Sequence, residues 1–285
     1  MSRLALKLFF MLFCIVDIGC DTTVWNRLRL DIGHISVGKG GVWATHRDTG
    51  EVYYRRGTYR TPWRVGCGWG LVPGLTMKRL DVGKDVVWGV DADKNLWMRS
   101  GLSAAAPGGT TWTKIDTDFV DVSVSQGGRV WGIKPGLYQV WRRIGASNSN
   151  PQGSGWEQAD SASLDQISVG GPGVWGVNSG NDMFYKKGTY GDKDTLGEPG
   201  ISWTQLDGNM KYVSSSEDLV VAVNMANEVL VRNGITESRP TGTSWSKLNK
   251  TLTMVESFGG VLWGLDQDHD IWHTVYEAGQ DVCNL

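Results

Sequence analysis

The chain has 285 residues, of which 40% are apolar and 20% charged, so a sizeable core is within reach and wholesale disorder is excluded. A net charge of −2 excludes a nucleic-acid protein held by bulk charge. The 15 Trp exclude a low-complexity linker, and the 39 Gly, about twice the usual share of roughly 7%, lack the Gly-X-Y period of collagen. Many tight turns together with many large flat side chains point to an all-β chain.

At the N-terminus, Arg3 and Lys7 precede an apolar run at residues 8–16, and Gly19 and Cys20 follow it. A basic start, a short apolar middle and small residues at the cut are the pattern of a secretory signal, here residues 1–19. The run is well short of the roughly 20 residues that span a bilayer. Cleavage falls after Gly19 or after Cys20, leaving a single soluble, extracellular domain at residues 20–285. Cys14 leaves with the signal, so Cys67, Cys283 and, with the earlier cut, Cys20 allow one disulfide in an oxidising compartment. Asn249-Lys250-Thr251 is a glycosylation sequon and is expected on a surface loop.

Downstream the chain repeats. Val-Trp-Gly phrases place Trp43, Trp88, Trp131, Trp175 and Trp263 in one column, with Val221 filling the gap, at steps of 42–46 residues. A second column follows nine or ten residues later: Tyr53, Trp97, Trp141, Phe184, Leu230 and Trp272. A third follows 15 or 16 residues on, or 19 in the fourth unit: Trp69, Trp112, Trp156, Trp203 and Trp245. The sixth unit lacks its third Trp, and Trp25, 18 residues before Trp43, supplies it from the other end of the chain. Only Trp63 falls outside the columns.

Within a unit the signals are short strands. Ile35-Ser36-Val37 and Asp121-Val122-Ser123-Val124 open units with β-branched residues, and the Val-Trp-Gly run is of the kind apolar on both faces. A third strand, as at residues 96–101, leads through a Pro/Gly loop to a fourth at Trp112. Four strands per unit at this period predict a six-bladed β-propeller, its ring closed by the N-terminal strand. On this spacing the two chain ends meet beside the last blade. A Cys20–Cys283 disulfide is therefore expected, with Cys67 left unpaired.

The third link carries Pro-x-Gly-x-x-Trp at residues 107–112, 151–156 and 240–245, preceded by Arg99-Ser100-Gly101, Lys186-Lys187-Gly188 and Arg232-Asn233-Gly234. Together with the Val-Trp-Gly phrases this resembles the tectonin repeat, found in tectonins, in the horseshoe-crab lectin tachylectin-1 and in fish egg lectins. The fifth unit departs from the pattern at Val221 and Leu230. The resemblance implies a secreted, non-catalytic lectin. Its partners would be glycans on microbial or cell surfaces, lipopolysaccharide among them.

Candidate site residues come from the second column. Arg55, Arg99, Arg143 and Lys186 stand two residues after Tyr53, Trp97, Trp141 and Phe184, and in a strand such residues share a face. A ring can take the apolar face of a sugar, and a cation its hydroxyls, carboxylate or phosphate. The alternative role for each cation is packing against the Trp of a neighbouring blade. The turns at residues 91–95 and 266–270 read Asp-x-Asp-x-Asp/Asn, but Leu96 and Ile271 follow where a calcium loop of the EF-hand type needs Gly, so turn formation is the expected role. No metal, cofactor or catalytic motif stands out. The Pro-x-Gly-x-x-Trp loops resemble the sialidase Asp-box with Pro at the Asp position, which leaves a propeller enzyme as a second reading and a protein-binding scaffold as a third. The long link at residues 188–199 is expected to be a recognition loop.

Overall fold

The computed structural model describes residues 25–28, 30–193 and 202–276. The signal segment, both cleavage positions, Cys20, Cys283 and residues 194–199 of the long link lie outside the described residues. Among the described residues all regular structure is β, in antiparallel pairs. The strand β1 (Asn26–Leu28) comes first. The first unit follows as β2 (Ile32–Gly38), β3 (Gly41–His46), β4 (Glu51–Arg55) and β5 (Trp69–Thr76). The second is β6 (Arg79–Val82), β7 (Val87–Val90), β8 (Leu96–Ser100) and β9 (Thr111–Asp116), and the third β10 (Asp121–Val124), β11 (Val130–Lys134), β12 (Gln139–Ile144) and β13 (Gly155–Ser163). The fourth is β14 (Gln166–Gly170), β15 (Gly173–Val177), β16 (Asp182–Lys186) and the first half of β17 (Trp203–Ser215). The second half of β17 opens the fifth, with β18 (Val220–Asn224), β19 (Glu228–Asn233) and β20 (Ser244–Thr251). The last is β21 (Met254–Phe258), β22 (Val261–Leu265) and β23 (Ile271–Val275), and β1 pairs with β23 as its fourth strand.

Each unit is a meander, and the units pack face to face. The second strand of each is buried but for its last residue in β3, β11 and β18, and along its whole length in β7, β15 and β22, as the apolar Val-Trp-Gly run requires. Trp43, Trp88, Trp131, Trp175 and Trp263 are all buried there, and Val221 takes the same place in β18. The Gly of the phrase admits a large apolar residue from the start of its own unit. A Cβ on Gly176 would stand 2.4 Å from a Leu164 methyl carbon, and one on Gly132 2.8 Å from the Phe119 ring. Ile32, Met77, Phe119, Leu164, Met210 and Leu252 thus form a further buried column.

The first strands lie innermost. β2 touches β6, β6 touches β10, β10 touches β14, β14 touches β17, β17 touches β21, and β21 touches β2. Each has one edge without a strand partner, and in β6, β10, β14, β17 and β21 N–H groups on that edge find side chains of the preceding unit instead. Val82 N–H donates to Ser36 Oγ at 3.2 Å, and Val124 N–H to Asp81 Oδ2 at 2.7 Å. Val169 N–H donates to Ser123 Oγ, Ser215 N–H to Ser168 Oγ and Ser257 N–H to Ser214 Oγ. One step along, Ile167 N–H uses Asp121 Oδ2 and Val213 N–H uses Gln166 Oε1. Asp81, further held by Ser36 and Ser123 hydroxyls, joins three units. Glu256 accepts from Tyr212 and Ser214.

Burial raises the carboxyl pKa of Asp81 and, well above the ordinary value, that of Glu256. It pushes Asp121 up to about 6, against the opposing pull of Arg79. A carboxyl whose folded pKa exceeds its unfolded one binds more protons when folded, so its contribution is most favourable below about pH 4 and is lost as pH rises through about 6. Asp121→Asn keeps an acceptor for Ile167 N–H and carries no charge. Its stability relative to the unsubstituted protein should therefore rise between pH 4 and pH 8, by on the order of 2 kcal/mol. Urea unfolding of both proteins across that range measures the difference. A difference that stays flat with pH contradicts the assignment.

Candidate functional site

The five cations that follow the second column all do the same thing. Arg55 faces Trp69 across β4 and β5, Arg99 faces Trp112, Arg143 faces Trp156, Lys186 faces Trp203 and Arg232 faces Trp245. Each cationic head lies over its Trp ring, 5.0–5.6 Å from the centroid. The partner is the Trp of the same unit, on its outermost strand, rather than the Trp of a neighbouring one. Each arginine also reaches into the loop before that Trp: Nε donates to the carbonyls of Val65, Gly108, Gln152 and Thr241 at 2.7–3.0 Å. The next residue in each loop is a glycine with φ between +59° and +68°. At Gly109 a Cβ would meet the Ser100 carbonyl oxygen and a Leu102 methyl carbon at 2.8 Å and the Arg99 stem at 3.1 Å. The Pro-x-Gly-x-x-Trp phrase therefore describes a loop wrapped around a cation that is buried at Arg99 and Arg232 and half-buried at Arg143. Desolvation lowers the pKa of Arg55, Arg99, Arg143 and Arg232, which a guanidinium tolerates without losing its charge.

Tyr53, Trp97, Trp141 and Phe184 stand half-buried on β4, β8, β12 and β16, two residues before the cations. The polar edges of Tyr53 and Trp97, and of Trp272 in the sixth unit, are tied down by carboxylates. Trp97 Nε1–H donates to Asp91 Oδ2 at 2.8 Å and Trp272 Nε1–H to Asp266 Oδ2 at 2.7 Å, while Tyr53 O–H donates to Glu51 at 3.0 Å. Asp91 also accepts from the N–H groups of Asp93 and Asn95 and from the Asn95 amide. Its partial burial raises its pKa, but the bonds from Asn95 and Trp97 outweigh this and leave it below the ordinary value. In unit three Lys134 ends β11 just before the turn, and its ammonium lies over Trp141 and Phe119 at 5.1 and 4.9 Å.

The carboxylates of Asp266, Asp268 and Asp270 have oxygens within 4.8 Å of one another. Asp266 already accepts from Asp268 N–H, Asp270 N–H and Trp272, and Asp270 is paired with Arg27 of β1. The turn phrase thus orients a second-column Trp and, in unit six, binds β1. One further residue sits otherwise than the sequence suggests. Asn249 is exposed but lies on β20, in a strand and not a loop. Trp63, outside every column, is half-exposed on the β4–β5 loop. Cys67, on the same loop, is exposed and unpaired among the described residues.

Residues 32–267 match the family model of the tectonin domain. The chain is 31% identical over 247 residues to the perivitellin-2 31 kDa subunit of Pomacea maculata, covering 84% of this chain and 83% of that one. Solved structures with a similar fold include YCF48 from Cyanidioschyzon merolae, at 12% identity and a TM-score of 0.52, covering 85% of this chain and 81% of that one. Another is a chain of a nidogen/laminin complex, at 11% identity and a TM-score of 0.53, covering 82% of this chain and 93% of that one. At such identities these two speak for the fold alone: an all-β, propeller-like arrangement of antiparallel sheets. With its repeat columns and the cation–Trp pairs of its first five units, and with the family model matched over most of its length, the chain belongs to the tectonin family.

Proposed function

We propose that the protein is a secreted, multivalent lectin without catalytic activity, binding glycans of microbial or egg surfaces, lipopolysaccharide among them. In this reading a signal at residues 1–19 precedes one domain at residues 20–285, a six-bladed propeller whose last blade is completed by β1. The cyclic order of contacts among the inner strands and the β1–β23 pairing support the ring. The Arg27–Asp270 pair supports it too. A Cys20–Cys283 disulfide would staple the same seam, and Asn249 would carry a glycan.

The observation that carries the reading is the repetition of a half-buried aromatic at one place in four units, Tyr53, Trp97, Trp141 and Phe184. An aromatic face, fixed by a turn carboxylate where Asp91 holds Trp97, suits the apolar face of a sugar ring. Arg55, Arg99, Arg143 and Lys186 complete each subsite by holding the adjacent Trp and loop in place beside that ring. Several weak equivalent subsites on one rigid body raise avidity by about 10²–10⁴ over a single one.

A glycan and lipopolysaccharide panel on the mature protein is the test. Binding that free sugar competes away, with no turnover of the sugar, supports the reading, and a blank panel overturns it. Trp97→Ala and Trp141→Ala together should lower avidity by about tenfold or more, leaving the fold intact. Arg99→Met should act differently, lowering unfolding stability by about 1–3 kcal/mol through the lost stacking and the lost bond to Gly108. Denaturant unfolding beside the panel separates the two effects.

A further inference from the structure

The β4–β5 loop of the first unit departs from its counterparts. The matching loops at residues 101–110 and 145–154 carry no charged residue, whereas residues 56–68 contain Arg56, Arg60, Arg64, Tyr59 and Trp63. This loop is held at three places. Arg60 pairs with Asp85 of the β6–β7 turn, where Tyr59 O–H also donates, at 2.9 Å. Arg60 N–H donates to the Lys39 carbonyl in the β2–β3 turn at 2.9 Å. Pro62 is buried, its carbonyl accepting from Trp263 Nε1–H of the sixth unit at 3.4 Å. Within the loop, Cys67 N–H donates to the Arg56 carbonyl and Arg64 N–H to that of Thr61, and the buried Arg55 side chain binds the Val65 carbonyl.

So anchored, the loop exposes a tryptophan and two arginines. Trp63 is 50% exposed, next to the buried Pro62, and belongs to no repeat column. Arg56 and Arg64 are exposed, and neither makes an ion pair among the described residues. A half-exposed indole on an anchored loop that also carries two exposed guanidiniums without an ion pair is costly to leave bare, and the held backbone leaves little ordering to be done on binding.

We propose that this loop is a separate docking surface for an anionic saccharide. Trp63 would stack on the sugar ring, and Arg56 and Arg64 would take its sulfate, phosphate or carboxylate groups. The proposal rests on the carbohydrate reading above but places the anion outside the second-column aromatics. Charge complementarity favours such a ligand over a neutral one. The loop neighbours Gly57, Thr61, Gly66 and Gly68 are small and uncharged, which suits a sugar better than the broad apolar rim of a membrane-seated surface.

The test uses the full mature chain on immobilised dextran sulfate, phosphomannan, carboxymethyl dextran and neutral dextran, with anionic phospholipid vesicles as a further arm. Retention on at least one anionic polysaccharide and not on neutral dextran is expected. Trp63→Ala and the double variant Arg56→Gln/Arg64→Gln should each weaken it by about tenfold or more. The double variant should also flatten its dependence on salt. Both variants should keep the parent unfolding midpoint and the neutral glycans found by the panel. Undiminished retention by both variants overturns the proposal, as does binding to vesicles alone. A protein that holds neutral glycans but ignores every anionic polysaccharide refutes this site and leaves the lectin reading standing. A blank glycan panel refutes that reading itself.

Discussion

The first strands β6, β10, β14 and β21 and the second half of β17 each have an edge that no strand covers, because each already has its hairpin partner on the other side. A buried N–H left without an acceptor costs more than a hydrogen bond returns, so the edge has to be answered from side chains. That requirement fixes residue type at the inner positions: Ser36, Asp81, Ser123, Ser168 and Ser214 are short, oxygen-bearing and aimed at the backbone of the next unit. It also fixes register between neighbouring units. A one-residue slip would point these oxygens the other way and bring apolar neighbours such as Val37 and Val82 to the edge.

The outer half of units one, two, three and five is organised by a different contact, the arginine set between a Trp ring and a loop carbonyl. The fifth and sixth units separate its role from that of the second-column aromatic. In the fifth, Leu230 replaces the aromatic, yet Arg232 still lies over Trp245 and binds the Thr241 carbonyl. In the sixth, Trp272 is kept and held by Asp266, although Thr274 stands where the cation would be. The two features can be lost one at a time because they serve different strands: the cation secures the outermost strand and its loop, the turn carboxylate the third strand's ring.

Much of this was legible in the sequence because packing repeats. The spacing of the tryptophans located the units, the strand order and the odd placement of Trp25 ahead of its own set, and the pattern of Val-Trp-Gly identified the buried second strand. The partner of each cation was not legible. Residues two apart on a strand share a face, which joined Arg99 to Trp97, whereas the register of β8 and β9 sets Arg99 opposite Trp112. Which of two aromatics a long side chain chooses depends on cross-strand alignment, and the recurrent bulges between third and fourth strands hide that alignment from simple counting. A column that could have been found was missed: Met77, Phe119, Leu164 and Leu252 each stand three residues before an apolar residue of a first strand, varied in type but constant in place. The turn carboxylates were read for their oxygens, and their donors, an indole and several N–H groups, became visible only in three dimensions.

The pairing of β1 with β23 has a consequence for the birth of the molecule. Arg27 leaves the ribosome 243 residues before Asp270, its partner. At the usual pace of translation, about 5–20 residues per second, that is a wait of roughly 10–50 seconds. Throughout it the first strand has nowhere of its own to go, while five complete sets of strands are emerging beside it. A long apolar strand in that position would find the wrong edge. This one is three residues long, with Asn26 and Arg27 both exposed, too short and too polar to hold an incorrect neighbour until the right one is made.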